Sequence, residues 1–300
     1  LPHSADTPVA LTIGTFDGIH RGHQAMLTRL TEAAEDLALP PAVLTFDPYP
    51  REFFAPASAP PRLSTLRSRL ERFAAFGVAR TYIARFDAAL SSMSHHAFVD
   101  DILVRRLGVR WVLVGEDFRF GKGRGGSLDT LRTAARTFSV EAMRTVAIRG
   151  ERASSTAVRN ALAAGDFATA HALLGHPYAI AGRVAHGRKL GRSLGFPTAN
   201  LPLRHKPPIS GVFAVRVHGL GASPRTGVAS LGVRPTILDA GQPLLEVFVF
   251  DFNETIYGRR VAVEFVHKLR EEERYPDLDT LTRQIHADVA QARDFFADAR

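Results

Sequence analysis

The pattern of apolar residues changes once along this 300-residue chain, at His176-Pro177, and that change constrains the fold more than any other feature. Before it, strand-like and helix-like segments alternate. Residues 9–13 form a short apolar run that ends at Gly14. Residues 23–37 follow at helical period, with Met26, Leu27, Leu30, Ala33, Ala34 and Leu37 on one face. Residues 42–46, 81–86 and 111–114 read as further strands, the last ending at Gly115, and residues 96–107 as a helix. Such alternation predicts a parallel α/β sheet, whose ligands bind at the carboxyl ends of its strands. The loops after Ile13 and Val114 are therefore the places to look. Residues 154–175 read as two short helices separated near Gly165-Asp166.

After Pro177 the segments are short, β-rich and punctuated by glycine and proline: 178–184, 211–217, 227–231, 244–252 and 260–267. This is the pattern of an antiparallel sandwich or barrel. Residues 278–296 close the chain as an amphipathic helix, with Leu281, Ile285, Val289, Ala292 and Phe296 expected to face inward. The expected domains are 1–176 and 177–300.

Composition narrows the function classes. The apolar fraction is 45% and the charged fraction 23%, enough apolar residue to build two cores. Runs such as Trp111 to Val114 fall far short of the ~20 apolar residues of a membrane span. No basic stretch followed by an apolar core opens the chain. There is no cysteine, so disulfides, thiolate metal sites and cysteine nucleophiles are excluded. The expectation is a cytoplasmic protein that does not engage a membrane. The net charge is +8, almost all from arginine, since Lys122, Lys189, Lys206 and Lys268 are the only lysines. That balance suits polyphosphate substrates as well as nucleic acid. Without arginine blocks, zinc-finger spacing or an aromatic RNA-binding signature, polymeric nucleic acid is not the expected partner.

Four stretches carry chemistry. The first is Gly14-Thr15-Phe16-Asp17-Gly18-Ile19-His20-Arg21-Gly22-His23, where a strand meets a helix. Glycines let backbone approach phosphate, and a helix N-terminus offers free N–H groups to an anion. The two imidazoles can donate to a phosphate as negative charge builds on it. The plain alternative is a glycine turn with two surface histidines. The second stretch, Gly115-Glu116-Asp117-Phe118-Arg119-Phe120-Gly121-Lys122-Gly123, again follows a strand and is not a P-loop. The third, Arg152-Ala153-Ser154-Ser155-Thr156-Ala157-Val158-Arg159, reads as a helix N-cap or as a phosphate-holding turn flanked by arginines.

The fourth stretch runs from Gly182 to Asn200 and is the most specific. Gly187, Gly191 and Gly195 recur every four residues among basic side chains, and Pro197-Thr198-Ala199-Asn200 follows. Such a loop can direct backbone N–H groups at ATP. Thr198 and Asn200 offer neutral oxygens of a kind Mg²⁺ accepts when phosphates supply the charge. Downstream, Glu246 is the single charge in the apolar segment 244–250. It is either a solvated strand residue or a carboxylate beside a pocket, able to act as general base toward an alcohol.

Taken together and in this order, these motifs resemble the bacterial bifunctional riboflavin kinase/FAD synthetases, over about residues 9–296. The Phe46-Asp47-Pro48-Tyr49-Pro50 stretch, Asp251-Phe252 and Ile256-Tyr257-Gly258 share in the resemblance. Thr15, Ala153 and Tyr275 stand where that family usually has Asn, Ile and Phe. The resemblance implies a Rossmann-like nucleotidylyltransferase domain followed by a six-stranded riboflavin kinase-like barrel with a C-terminal helix. It implies adenylyl transfer at His20 and His23, with ATP held by Gly14, Phe16, Asp17, Gly18, Asp117, Arg152, Ser155 and Thr156. In the second domain it implies Glu246 as the base for the ribityl 5′-hydroxyl, and ATP held by Gly187, Gly191, Gly195, Thr198 and Asn200. Thr198 and Asn200 would carry Mg²⁺, and Arg270 and Glu272 would lie on the flavin side. The implied substrates and products are riboflavin, FMN, FAD, ATP, ADP and pyrophosphate. The competing expectations are that one activity alone survives, or that the chain is a basic nucleotide- or RNA-binding protein with decayed catalysis.

Overall fold

A computed structural model describes residues 1–148, 150–187, 195–233 and 242–298. The chain forms two compact units. One comprises residues 1–60 and 64–155, the other residues 61–63 and 156–300.

The first unit is built on a five-stranded, all-parallel sheet: β1 (Val9–Ile13), β2 (Pro41–Phe46), β3 (Arg80–Ala84), β4 (Val109–Gly115) and β5 (Ser139–Met143). The spatial order is β3-β2-β1-β4-β5. The order reverses between β1 and β4, so the crevice outside their carboxyl ends is the topological switch point of the sheet. Every residue of β1 is buried, as expected of a strand covered on both faces. Its side chains alternate between two cores. Ala10 packs with Leu27, Leu30, Ala33 and Ala34 of α1 (Arg21–Asp36) and with Phe73 of the polar-looking α3 (Leu66–Ala75). Val9, Leu11 and Ile13 pack with Phe98, Val99, Ile102 and Leu103 on the other face. Burying a leucine such as Leu27 or Leu30 completely contributes about 1.5–3 kcal/mol.

Four of these strands fall where the apolar runs predict, within two residues. The helix expected over 96–107 exists, but only α5 (His95–Ala97) is α-helical, and Phe98–Arg106 continues as a π-helix. Strand β5 and the helices α2 (Pro50–Phe54), α3, α4 (Ala88–Ser92) and α6 (Leu128–Ala134) lie in stretches where no periodic apolar signal marks them, and a short antiparallel ribbon of β6 (Ala147–Ile148) and β7 (Glu151–Arg152) follows β5.

In the second unit, α7 (Ser155–Ala163, of which Ser155 itself belongs to the first unit) and α8 (Phe167–Leu174) lead into an antiparallel sheet. Its strands are β8 (Ala179–Arg183), β9 (Thr198–Pro202), β10 (Gly211–His218), β11 (Arg225–Val233), β12 (Pro243–Val249) and β13 (Arg260–Arg270). The order is β8-β13-β10-β11-β12-β9. Ala185, just beyond β8, bridges Asn200 on β9, with its N–H donating to the Asn200 carbonyl at 2.8 Å. The two outer strands therefore meet, and the sheet is nearly closed into a barrel. Phe213, Val215, Leu231, Leu245, Val247, Val263 and Phe265 are buried core residues of this unit. Strand β9 occupies part of the stretch read from sequence as a phosphate loop.

The C-terminal helix α9 (Leu278–Asp298) lies on the outer face of the sheet. Ala292, Val289, Phe295 and Phe296 cover Val212, Ala214, Val228 and Phe250. Leu281 and Ile285 are only half-buried. The residue that buries deepest beside Ala292 is instead Asp288, which pairs with Arg270 at the end of β13. The Arg270 Nε and Nη2 atoms donate to the two Asp288 oxygens, each at 2.7 Å, and Gln284 Nε2 adds a third bond at 2.9 Å.

Candidate active sites

At the switch point of the first unit, the loop from Gly14 to His20 is held by its own packing. Phe16 and Ile19 take positive φ angles of 51° and 44°, unusual for residues with side chains. Burial compensates this strain: both side chains are fully buried, and the Phe16 ring meets Phe73 edge-on at 5.3 Å. The Asp17 carboxylate is buried and accepts from the Tyr49 hydroxyl, the Ser64 N–H and the Ser64 hydroxyl, each at 3.0 Å. Ser64 in turn accepts from the Gly18 N–H at 2.9 Å. Asp17 thus shapes the loop from within. Arg69, fully buried, donates to the Thr15 carbonyl at 2.7 Å and the Thr45 hydroxyl at 2.8 Å, and lies over the Tyr49 ring.

His20 and His23 stack with ring centroids 3.7 Å apart. His23 also packs against Phe16 at 5.0 Å. Burial, and then the neighbouring His20, push the His23 imidazole well below its ordinary value of 6.5, so it is neutral at pH 7. Its Nδ1 is buried and has no hydrogen-bond partner among the described residues. Gly22 has a specific task. A Cβ there would stand 3.2 Å from both the His20 ring and the Ala153 carbonyl, so glycine lets the start of α1 close onto them. Helix α1 begins without a side-chain cap or an acidic residue in its first turn, leaving N–H groups and the positive end of the dipole for an anion.

The other two motifs of this unit meet each other. Arg152 Nη2 donates to Asp117 Oδ2 at 2.7 Å, and this bond holds the Asp117 carboxyl below its ordinary value. The Ser155 hydroxyl donates to the Asp17 carbonyl at 2.9 Å, both within the first unit. Thr156 is exposed and belongs to the second unit. Sequence reasoning did not find Ser64 or Arg69, whose roles depend on contacts 46 to 54 residues away in the chain. Nor did it find the exposed rings of Phe53 and Phe54, which with Phe86 form an edge-on cluster beyond the end of β2.

In the second unit, strand register aligns the candidates. Glu246 on β12 stands opposite Asn200 on β9 and opposite Ser230 on β11. Directly paired residues share a face, so Asn200, Glu246 and Ser230 form one row across three strands. Asn200 is buried, and its Oδ1 has no hydrogen-bond partner among the described residues, while its Nδ2 donates to the Thr198 carbonyl. A Cβ on Gly187 would lie 2.5 Å from Asn200 Nδ2, so glycine lets the backbone lie over that side chain. Gly195 has φ 86° with open space around it. Gly191 lies outside the described residues. Thr198 lines a cavity of about 230 Å³ with Val184, Val247, Val249, Ile256 and Tyr257, and the Tyr257 ring stacks on His186 at 3.9 Å.

The orphaned Asn200 oxygen and the Thr198 side chain fit a hard divalent cation that takes its charge partners from phosphate. Among the described residues no group of three or more His, Cys, Asp or Glu could form a complete protein cage. Glu272 reaches back to β11, where its Oε1 accepts from the Ser230 hydroxyl at 3.3 Å. Arg270 is held by Asp288, and its Nη1 donates to the Glu271 carbonyl at 2.9 Å.

Comparison with known proteins accounts for both units. Residues 3–157 match the FAD synthetase family and residues 174–296 the riboflavin kinase family. The chain is 50% identical to a bifunctional riboflavin kinase/FMN adenylyltransferase from Pseudomonas fluorescens, over 94% of this chain and 91% of that one. It is 46% identical to proteins of the same name from Escherichia coli strain K12 (95% and 92% covered) and Haemophilus influenzae (96% and 94% covered). A crystal structure of a Streptococcus pneumoniae protein named as a macrolide-efflux protein matches with a TM-score of 0.74 at 28% identity, covering 95% of this chain and 93% of that one. Among the described residues, no helix here is long and apolar enough to cross a membrane. With both families present in order and relatives near half identity along almost the whole length, the chain belongs to the bifunctional riboflavin kinase/FMN adenylyltransferase family.

Proposed function

We propose that residues 177–300 phosphorylate riboflavin to FMN, with release of ADP, and that residues 1–176 adenylylate FMN to FAD, with release of pyrophosphate. The observation that carries this reading is the row of Asn200 and Glu246 beside the Thr198-lined cavity, together with the stacked His20–His23 pair at the uncapped start of α1.

In the kinase site Glu246 is the carboxylate that takes the proton of the ribityl 5′-hydroxyl. ATP occupies the cavity, with its apolar wall of Val184, Val247 and Ile256 against the nucleoside and its phosphates toward Thr198 and Asn200. Those two residues would hold Mg²⁺, which when bound neutralises phosphate charge and aligns the γ-phosphoryl group. Gly187 lets its own backbone lie close to Asn200. Arg270 and Glu272 stand on the flavin side.

In the adenylylation site the attacking FMN phosphate is already an anion and needs no protein base. Positioning and charge stabilisation at the α-phosphate carry the reaction. His20, His23 and the N–H groups of α1 supply the stabilisation. Gly14, Phe16, Asp17 and Gly18 set the loop that presents them, and Asp117, Arg152, Ser155 and Thr156 contribute around ATP. The exposed Phe53 and Phe54 rings offer flat apolar surface suited to the flavin ring. The cysteine-free composition fits a cytoplasmic setting.

Half-reaction kinetics on single-site variants test the assignment. His23→Ala should lower FAD formation from supplied FMN by roughly 10²–10³-fold and leave riboflavin phosphorylation unchanged. Glu246→Gln, nearly isosteric, should lower phosphorylation by roughly 10²–10⁴-fold and leave adenylylation unchanged. Wild-type phosphorylation in Glu246→Gln would remove the base from the scheme.

A further inference from the structure

Beside Glu246 the same face carries two polar groups that the proposed transfer of the 5′-hydroxyl proton does not use. Ser230 is the direct cross-strand partner of Glu246 on β11, and its hydroxyl donates to Glu272 Oε1 at 3.3 Å. The Glu272 carboxyl lies directly on the backbone of Gly232, in the space that a Cβ at that position would fill. Glycine on β11 therefore forms a seat for it. Its other side is exposed, so one edge of the carboxyl rests on the strand and the other is open to a ligand. Burial against β11, and the nearby Glu246, push the Glu272 carboxyl above its ordinary value. At the far end of the row, the buried and unpartnered Asn200 oxygen marks the same face as one that takes a ligand.

The row fixes a direction. Adjacent strands lie about 4.8 Å apart, so the sequence Asn200, Glu246, Ser230 passes from the phosphate side, through the base, to the hydroxyl–carboxyl pair. A terminal alcohol placed at Glu246 leaves the rest of a polyhydroxylated chain one strand spacing further on, over β11. There it meets a side-chain hydroxyl, which can donate and accept, and a carboxylate, which accepts from the hydroxyls of the chain. Resting on the kinase reading above, we propose that Ser230 and Glu272, seated by Gly232, are specificity-determining residues that recognise the secondary hydroxyls of the ribityl chain.

The Arg270–Asp288 pair explains why Glu272 reaches this place. It fixes the end of β13 two residues before Glu272, and the Arg270 Nη1 bond to the Glu271 carbonyl sets the turn between them. A chain lacking secondary hydroxyls leaves Ser230 and Glu272 bonded only to each other and to water, and gains nothing from them.

The test compares riboflavin with a flavin bearing a 5-hydroxypentyl chain, which keeps the terminal alcohol and lacks the secondary ones. Wild type should favour riboflavin in kcat/KM by on the order of 10²-fold or more. Ser230→Ala and Glu272→Ala should each lower kcat/KM for riboflavin by about 10-fold and leave the hydroxypentyl flavin within about twofold. Gly232→Ala, which puts a methyl group in the carboxyl's seat, should reproduce the Glu272→Ala result with the carboxylate still present. Turnover of the hydroxypentyl flavin serves as the internal measure of a folded kinase unit. Equal losses on both flavins, or no loss on riboflavin, would overturn the proposal. If wild type turned over neither flavin, the kinase reading itself would fail, and the proposal with it.

Discussion

His23 shows how one side chain joins fold and chemistry. It is pressed between the His20 and Phe16 rings, and its imidazole is held neutral. The unfolded chain binds a proton at this residue near 6.5, whereas the folded chain does so only in stronger acid. The contribution of neutral His23 to stability is thus complete above 6.5 and is lost as pH falls from there toward the depressed folded value. Denaturant midpoints measured from about pH 7 down to about pH 5.5 should fall in wild type and fall less steeply in His23→Gln. Identical slopes would show that burial of the imidazole does not contribute. The residues of the local motifs were legible in the sequence because neighbouring positions carry their chemistry: His20 and His23 around a glycine, Thr198 and Asn200 two residues apart. Ser64, Arg69, Ser230 and Gly232 were not legible. Ser64 reads as an ordinary loop serine until it lies against Asp17, and Ser230 as a strand serine until register sets it opposite Glu246.

Among the elements, α9 depends on a polar anchor as much as on its apolar stripe. Asp288 is 5% exposed, and its bidentate bond to Arg270 joins the helix to the last strand of the barrel. Arg270 is only partly buried and keeps its bond to the Glu271 carbonyl, so losing Asp288 costs less than the removal of one partner of a fully buried pair, about 1–3 kcal/mol. Asp288→Ala should therefore lower the unfolding free energy of the second unit by about that amount, as read from its denaturant transition. A loss below about 0.5 kcal/mol, typical of an exposed surface site, would show that the apolar contacts of Val289, Ala292, Phe295 and Phe296 hold the helix by themselves. The helix was legible through its 3.6-residue period, but its anchor was not, because a charged residue within such a stripe reads as solvent-facing. Strand β9 was hidden for a related reason. Its Pro197-Thr198-Ala199-Asn200 lead-in looks like a loop, and pairing with β12 makes it a strand. Helix α3 lacks a clear apolar face because Arg69 takes an interior position within it.

For the whole molecule, the change from alternating to β-rich segments foretold the fold class: a parallel α/β unit followed by an antiparallel near-barrel with a terminal helix. The local patterns were legible because each unit keeps a single period along its strands. The sheet orders were not, because pairing between distant strands leaves no periodic trace. The two candidate sites share no residue, and each lies on its own sheet: one beyond the carboxyl ends of β1 and β4, the other on the row crossing β9, β12 and β11. The central claim is that this one chain carries both transfers in succession. It is tested most directly by a chromatographic time course of the full chain with riboflavin, ATP and Mg²⁺. The account predicts that FMN appears first and is then converted to FAD, with pyrophosphate released in step with FAD. FMN accumulating under saturating ATP with no FAD, or riboflavin left unchanged, would contradict it.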